Sequence, residues 1–163
     1  MSLRPYDSSV VRDIELLYVS SFPASERFPF GNLISYAENG HAELLWSDDG
    51  GFAYILPSDG RTFLLYLAVV PEKRGKGIGS RKLQDLKDRS YGKTIFLNVE
   101  PPEGPEKELR LRRIGFYKRN GFRVSGDVTA PDGERYTLMS CGPDICPADA
   151  EEFYRGLSQL SGL

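Results

Sequence analysis

The chain has 163 residues, 40% of them hydrophobic and 27% charged, a size and balance that suit one globular domain with a full core. Its 21 basic and 23 acidic residues leave a net charge of −2, which excludes the strongly basic surface that nucleic acid demands. No apolar run approaches the ~20 residues needed to span a bilayer, and Met1-Ser2-Leu3-Arg4-Pro5 lacks the apolar stretch of a signal peptide, so a cytoplasmic protein without a membrane partner is expected.

In chain order, Leu3 to Tyr6 reads as a short first strand. Asp7 or Ser8 can cap a helix whose apolar stripe is Val10, Ile14, Leu17 and Tyr18, the spacing of one helical face. Phe22-Pro23 ends it, and an aromatic, proline-punctuated segment leads to a second helix over Asn32 to Glu38. Three strands follow: His41 to Ser47, Phe52 to Leu56 and Thr62 to Val70, separated by Asp-Asp-Gly-Gly and Pro-Ser-Asp-Gly turns. The third is nearly all apolar, the mark of a strand buried on both faces. A helix is predicted from about Gly77 to Arg89, then a buried strand over Thr94 to Val99. Pro101-Pro102-Glu103-Gly104-Pro105 must be loop.

The next helix spans about Glu106 to Asn120, with Lys118 and Arg119 in its last turn and Gly121 as a left-handed cap. Strands Phe122 to Val128 and Arg135 to Ser140, hinged at Pro131-Asp132-Gly133, precede a C-terminal helix over Pro147 to Ser158. The order is β-α-α-β-β-β-α-β-α-β-β-α, an α/β (α+β) protein with a mixed sheet, antiparallel early and parallel across the Gly77 helix.

Cys141 and Cys146 are the only cysteines and His41 the only histidine. Such a set is poor for a metal site, and none is expected; it also leaves little scope for a Ser/His or Cys/His nucleophile.

The most informative segment runs Leu67-Ala68-Val69-Val70-Pro71-Glu72-Lys73-Arg74-Gly75-Lys76-Gly77-Ile78-Gly79-Ser80. A buried strand enters a basic, glycine-rich turn from which a helix departs. The first N–H groups of a helix lack internal partners and bind anions, and glycine lets the backbone approach them. Lys73, Arg74 and Lys76 add charge, so the turn suits a diphosphate. The Walker spacing is absent. A nicotinamide dinucleotide is an alternative ligand, since Gly75-x-Gly77 is present and Glu100 follows the next strand. However, Ser80 stands where the third glycine of that fingerprint belongs, and Pro71 to Arg74 separate strand from glycines.

Arg74-Gly75-Lys76-Gly77-Ile78-Gly79 resembles the Q/R-x-x-G-x-G/A pyrophosphate loop of the GNAT acyltransferases. Phe116-Tyr117-Lys118-Arg119-Asn120-Gly121-Phe122, about forty residues on, resembles their L-Y-x-x-x-G-F stretch. The resemblance covers nearly the whole chain. It implies a single domain over 1–163, with 141–163 a helical C-terminal extension, built on a mixed sheet of about seven strands. It implies acetyl-CoA as donor, a small-molecule or peptide amine as acceptor, and a monomer or homodimer. A non-catalytic CoA-binding module is a further alternative, because a fold can keep its loop without the chemistry.

The residues implied for the donor are Leu67, Ala68 and Val69 along the strand, and Arg74, Gly75, Lys76, Gly77, Ile78, Gly79 and Ser80 in the loop. Tyr117 matches the family tyrosine that protonates the departing thiolate, a role a phenol can fill. Glu106, Arg110, Arg113 and Tyr117 share a helical face, so Arg110 and Arg113 should run along the donor side. The family often carries asparagine where Arg110 stands; arginine there can meet a phosphate or an acid, or pair with Glu106. A general base must deprotonate the attacking amine. Glu100, at the end of a strand that splays from its parallel neighbour in the family, is the first candidate and Glu26 the second; a water chain could replace either. A backbone N–H near Val69 is expected to stabilise the oxyanion. For the acceptor, Phe22, Phe28, Phe30, Tyr36 and Trp46 with Glu26, Asp48 and Asp49 could form a pocket for a cationic amine.

Overall fold

The computed structural model describes residues 2–161. Its elements are β1 (Arg4–Pro5), α1 (Val11–Ser21), α2 (Phe30–Glu38), β2 (Glu43–Ser47), β3 (Gly51–Ser58), β4 (Arg61–Val69), α3 (Ile78–Arg89), β5 (Thr94–Val99), α4 (Lys107–Arg119), β6 (Arg123–Thr129), β7 (Arg135–Cys141) and α5 (Pro147–Arg155). Short 3-10 turns over Ala24–Glu26, Pro71–Lys73 and Gly156–Ser161 complete them. The order matches the sequence expectation. Several boundaries differ: α2 begins at Phe30, whose ring packs against the core, β2 begins at Glu43 rather than His41, β3 runs on to Ser58, α5 gives way to a 3-10 turn after Arg155, and α1 begins at Val11 without a side-chain cap. Asp7 instead accepts the N–H of Ser9 at 2.8 Å, closing the turn before the helix.

The seven strands form one sheet in the order β1-β2-β3-β4-β5-β7-β6. Every neighbouring pair is antiparallel except β4 and β5. Helices cover both faces. Tyr18 of α1, Leu33 of α2 and Tyr154 of α5 pack with Phe52, Tyr54 and Phe96 on one side. Leu83 and Leu86 of α3 and Ile114 of α4 pack with Ile55, Leu64 and Leu97 on the other. This double cover is why β3 has buried residues in unbroken succession from Gly51 to Leu56. On α3, Lys82 is fully buried and donates to Asp49 at 2.9 Å, and Asp49 also accepts from the Ser47 hydroxyl. That ion pair fastens the helix to the β2–β3 turn.

Two irregularities in β4 position the site. Tyr54 pairs with Tyr66 but Ile55 pairs with Leu64, so Leu65 is an extra residue in a bulge. The bulge shifts the side-chain alternation by one: Phe63 faces the α1 side, Leu64 the α3 side, and Tyr66 returns to the α1 side. The second irregularity lies between the parallel strands. Pairing of β4 with β5 covers Arg61–Thr94, Thr62–Ile95 and Phe63–Phe96 and stops there. Beyond that point the strands diverge and open a cleft at their carboxyl ends.

Candidate active site

One end of the cleft is the glycine loop. Gly77 is the N-cap of α3 and holds φ of +76°, in the left-handed region that favours glycine. The first backbone bond of the helix is Arg81 N–H to Gly77 C=O at 3.1 Å, so the N–H groups of Ile78, Gly79 and Ser80 point out of the first turn without helical acceptors. A Cβ on Gly79 would sit 3.1 Å from the Phe116 ring; its absence lets α3 and α4 close at that point. Lys73, Arg74 and Lys76 lie exposed around the turn. Arg74 Nε donates to Val69 C=O at 3.0 Å, joining loop to strand. A diphosphate fits this set: open amides at a helix N-terminus, no Cβ in the way, and cations beside them.

The middle of the cleft is the free edge of β4. The N–H of Val70 bonds Gly50 C=O at 2.7 Å, and backbone groups alternate sides along an antiparallel strand. Leu67 and Val69 therefore turn their N–H and C=O groups away from β3, toward the cleft left by β5. Ala68 between them directs its backbone to Phe52 instead.

Opposite the glycine loop lies a cavity of about 620 Å³. Leu64, Leu65 and Tyr66 line it from β4, Asn98 and Glu100 from the β5 side, and Phe22, Glu26 and Phe28 from the segment between α1 and α2. Two buried tyrosines hold that segment by its carbonyls. Tyr66 donates to Glu26 C=O at 2.7 Å and Tyr18 to Phe28 C=O at 2.7 Å. Burial pushes both phenols up, so they remain donors. The 3-10 turn thus delivers the Glu26 side chain onto Glu100, to which it is hydrogen-bonded. Loss of water, then this hydrogen bond and the Glu100 charge, raise the Glu26 carboxyl to about 7, against the opposing pull of Arg113 and Arg110. Glu100 is also ion-paired with Arg110. The two carboxyl groups form one hydrogen-bonded unit at the mouth of the cleft.

The two candidate bases named from the sequence, far apart in the chain, are therefore brought together. Arg110 is not turned to Glu106: it pairs with Glu100 and donates to the carbonyls of Pro101 at 3.3 Å and Glu103 at 3.1 Å, pinning the proline loop. Arg113 lines the cavity and faces both Glu26 and Tyr117. Tyr117 is partly buried between Phe116 and Phe122, beside the cavity rather than in its wall, and burial raises its phenol.

Of the residues considered for an amine pocket, Phe22, Phe28 and Glu26 line the cavity. Trp46 borders a separate recess near α1, Asp48 pairs with Arg4 and Asp49 with Lys82; Phe30 and Tyr36 pack against the core. The sequence reading missed Tyr66, Asn98, Asp132, Tyr136 and Tyr154, all in the cavity wall. A polar tip on Tyr66 within an otherwise apolar strand was the one signal available.

A mixed seven-stranded sheet, splayed at its central parallel pair beside a glycine-capped helix, defines the GNAT fold. Residues 32–124 match the family model described as Acetyltransferase (GNAT) domain, and the chain belongs to that family of acetyltransferases. It is 31% identical over 114 residues to "Putative acetyltransferase YjbC" of Bacillus subtilis (strain 168), a match spanning 64% of this chain and 56% of that protein. Among solved structures, a "Putative acetyltransferase from GNAT family" from Bacteroides thetaiotaomicron superposes with a TM-score of 0.79 at 26% identity over 99% of both chains. An aminoglycoside 6'-N-acetyltransferase complexed with coenzyme A shares the fold, with a TM-score of 0.63 at 16% identity over 89% of this chain and 99% of that one. Among the described residues no helix is long and apolar enough to cross a membrane.

Proposed function

We propose that the protein transfers an acetyl group from acetyl-CoA to a primary amine by direct attack within a ternary complex. The observation that carries this reading is the alignment of three parts along one cleft: the glycine loop, the backbone edge at Leu67 and Val69 that β5 leaves unpaired, with the Val69 C=O tied to Arg74, and the Glu26–Glu100 pair. In this reading the donor supplies a thioester, and its diphosphate is held by the amides of Ile78, Gly79 and Ser80 with Lys73, Arg74 and Lys76. The Leu67 and Val69 edge pairs with the pantetheine arm.

The chain's own groups then move protons and charge. The Glu26–Glu100 unit takes the proton from the incoming ammonium. With Glu26 raised to about 7, its basicity suits a proton acceptor near neutral pH. The Val69 N–H, already aimed into the cleft, donates to the carbonyl oxygen as negative charge grows there. As the C–S bond breaks Tyr117 gives its proton to the departing sulfur, and the second proton that the nitrogen sheds on forming the amide restores the phenol. No residue needs to become acylated. Arg113, facing both Glu26 and Tyr117, links the two proton-handling groups electrostatically.

Calorimetric titration with acetyl-CoA, CoA, NAD and NADPH tests the reading without knowledge of the acceptor. Micromolar binding of acetyl-CoA and CoA, with no response to the dinucleotides, is the expected result. Binding of NAD or NADPH alone would overturn it in favour of an oxidoreductase, and silence from all four would leave a structural loop.

A further inference from the structure

The acceptor cavity contains an unbalanced set of charges. Its acids are already committed: Glu100 to Arg110, Glu26 to Glu100, and Asp132, whose carboxylate accepts the Glu134 N–H at 3.0 Å. Its arginines are not. Arg27, Arg113 and Arg155 line the same cavity, and none of them enters an ion pair among the described residues. Arg27 goes further, since its Nε is buried and has no hydrogen-bond partner. An Nε–H withdrawn from water with no acceptor is costly, and the planar fork of a guanidinium matches a carboxylate or phosphate. Arg113 already faces Glu26 and Tyr117 at the reacting end. Arg27 and Arg155 remain for something that enters the cavity.

Their origin sharpens the point. Arg27 lies before, and Arg155 after, the residues 32–124 that match the family model. Arg155 ends α5, and this helix is firmly seated. Tyr154 donates to Asn98 on β5, Arg61 pairs with Asp149 at 3.1 Å, and Asn32 Nδ2 donates to Leu160 C=O at 3.1 Å. The C-terminal segment is thus a fixed wall of the cavity, and it brings a cation with it. Between that wall and the acid pair the lining is aromatic, with Phe22, Phe28 and Tyr136.

We propose that the acceptor is a small zwitterionic amine whose anionic group is clasped by Arg27 and Arg155 while its amine lies against Glu26 and Glu100, an apolar or aromatic body spanning the two. The proposal deepens the acyl-transfer reading and rests on it. The enclosing C-terminal wall suits a free small molecule better than a residue within a folded protein, and a cavity of about 620 Å³ holds such a ligand whole.

The test follows thiol release from acetyl-CoA with a panel of α-amino acids, each beside its own carboxamide, and with 2-aminoethyl phosphate beside ethanolamine. The first set supplies the carboxylate arm and the second the phosphate arm. At least one anionic amine should be acylated with kcat/KM roughly ten-fold or more above its neutral match. Arg27→Gln and Arg155→Gln should each raise its KM by roughly ten- to a hundred-fold, the loss expected of a charge-assisted hydrogen bond, with kcat nearly kept. Neither residue holds an ion pair within the fold, and thermal denaturation checks that both variants are folded. Neutral amines used as well as anionic ones would overturn the proposal, as would an unchanged KM in both variants, or donor binding with no anionic amine acylated. Calorimetry with acetyl-CoA alone separates the two failures: without donor binding the acyl-transfer reading falls first, whereas donor binding with a preference for neutral amines removes only the zwitterionic acceptor.

Discussion

The two ends of the β4–β5 cleft meet opposite electrostatic demands. At the glycine loop the cations are exposed and the backbone amides open. Water screens Lys73 and Lys76 in the free protein, so holding them ready for a soluble anion costs little. At the Glu26–Glu100 pair the groups are half-buried, hydrogen-bonded to each other and backed by Arg110. There, burial raises the affinity of a carboxyl for its proton, which exposure could not do. An anion is captured best on an open surface, and a proton is exchanged near neutral pH best from a shielded one. In the proposed reaction one chain does both, with a helix N-terminus and a divergent strand pair at neighbouring points of the same sheet.

That contrast can be broken most severely at the loop. Gly77→Asp puts a Cβ and a carboxylate at a left-handed position facing the donor's phosphates, and acetyl-CoA affinity measured by calorimetry should fall by about a hundred-fold or more. Unchanged affinity would remove the loop from the donor site. At the shielded end, Glu100→Gln should lower kcat/KM by roughly 10²- to 10³-fold while leaving donor affinity intact. In the unaltered protein kcat/KM should rise as pH increases through about 7, where Glu26 gives up its proton. Removing the Glu100 charge lets the Glu26 carboxyl fall, so the remaining activity of the variant should rise at lower pH.

Tyr117→Phe is expected to slow turnover by roughly ten- to a hundred-fold without weakening the donor; full turnover would exclude the general-acid role. A smaller effect sharpens the idea that the acid pair stores unfavourable charge. Folding raises the Glu26 carboxyl from 4.5 to about 7, so the folded chain binds this proton more tightly than the unfolded one. The stability it contributes is complete below about pH 4.5 and is lost as pH rises through about 7. Glu26→Gln should therefore melt a few degrees above the unaltered protein at pH 8, with the difference shrinking or reversing at pH 5. The mildest change is Gly79→Ala: its methyl group presses on the Phe116 ring, and donor affinity should drop by only a few-fold as the ring yields.

The parts of this molecule legible from sequence are those whose cause is local. Pro71, the alternate glycines and the helix periodicity after Gly77 lie within a few residues of one another, and the structure adds to them the dihedral angles, the Arg74–Val69 bond and the contact of Gly79 with Phe116. Gly121 ends α4 with φ of +86°, as its position after Lys118 and Arg119 indicated. The shared face of Arg110, Arg113 and Tyr117 followed from helical geometry. The partner of Arg110 did not: Glu106 is close along the helix, but Glu100 is brought against it by the turn of the proline loop. The aromatic and acidic residues of the β2–β3 region were similar in composition to those of the α1–α2 segment. Only packing separates them, with Asp49 drawn to the buried Lys82 and Glu26 carried to the cleft by Tyr66.

By itself, then, the order of residues determined the element sequence, the glycine-capped helix start and which side chains share a helical face, because these depend on neighbours along the chain and on backbone periodicity. Tertiary structure decided which of those side chains meet. The single extra residue at Leu65 turns Tyr66 toward the α1 side, the divergence of β4 and β5 past Phe63 and Phe96 opens the cleft, and the insertion of β7 between β5 and β6 carries the C-terminal helix back over it. Each of these is a relation between segments distant in sequence, set by how two buried faces of one sheet are filled at once, and no local pattern encodes it.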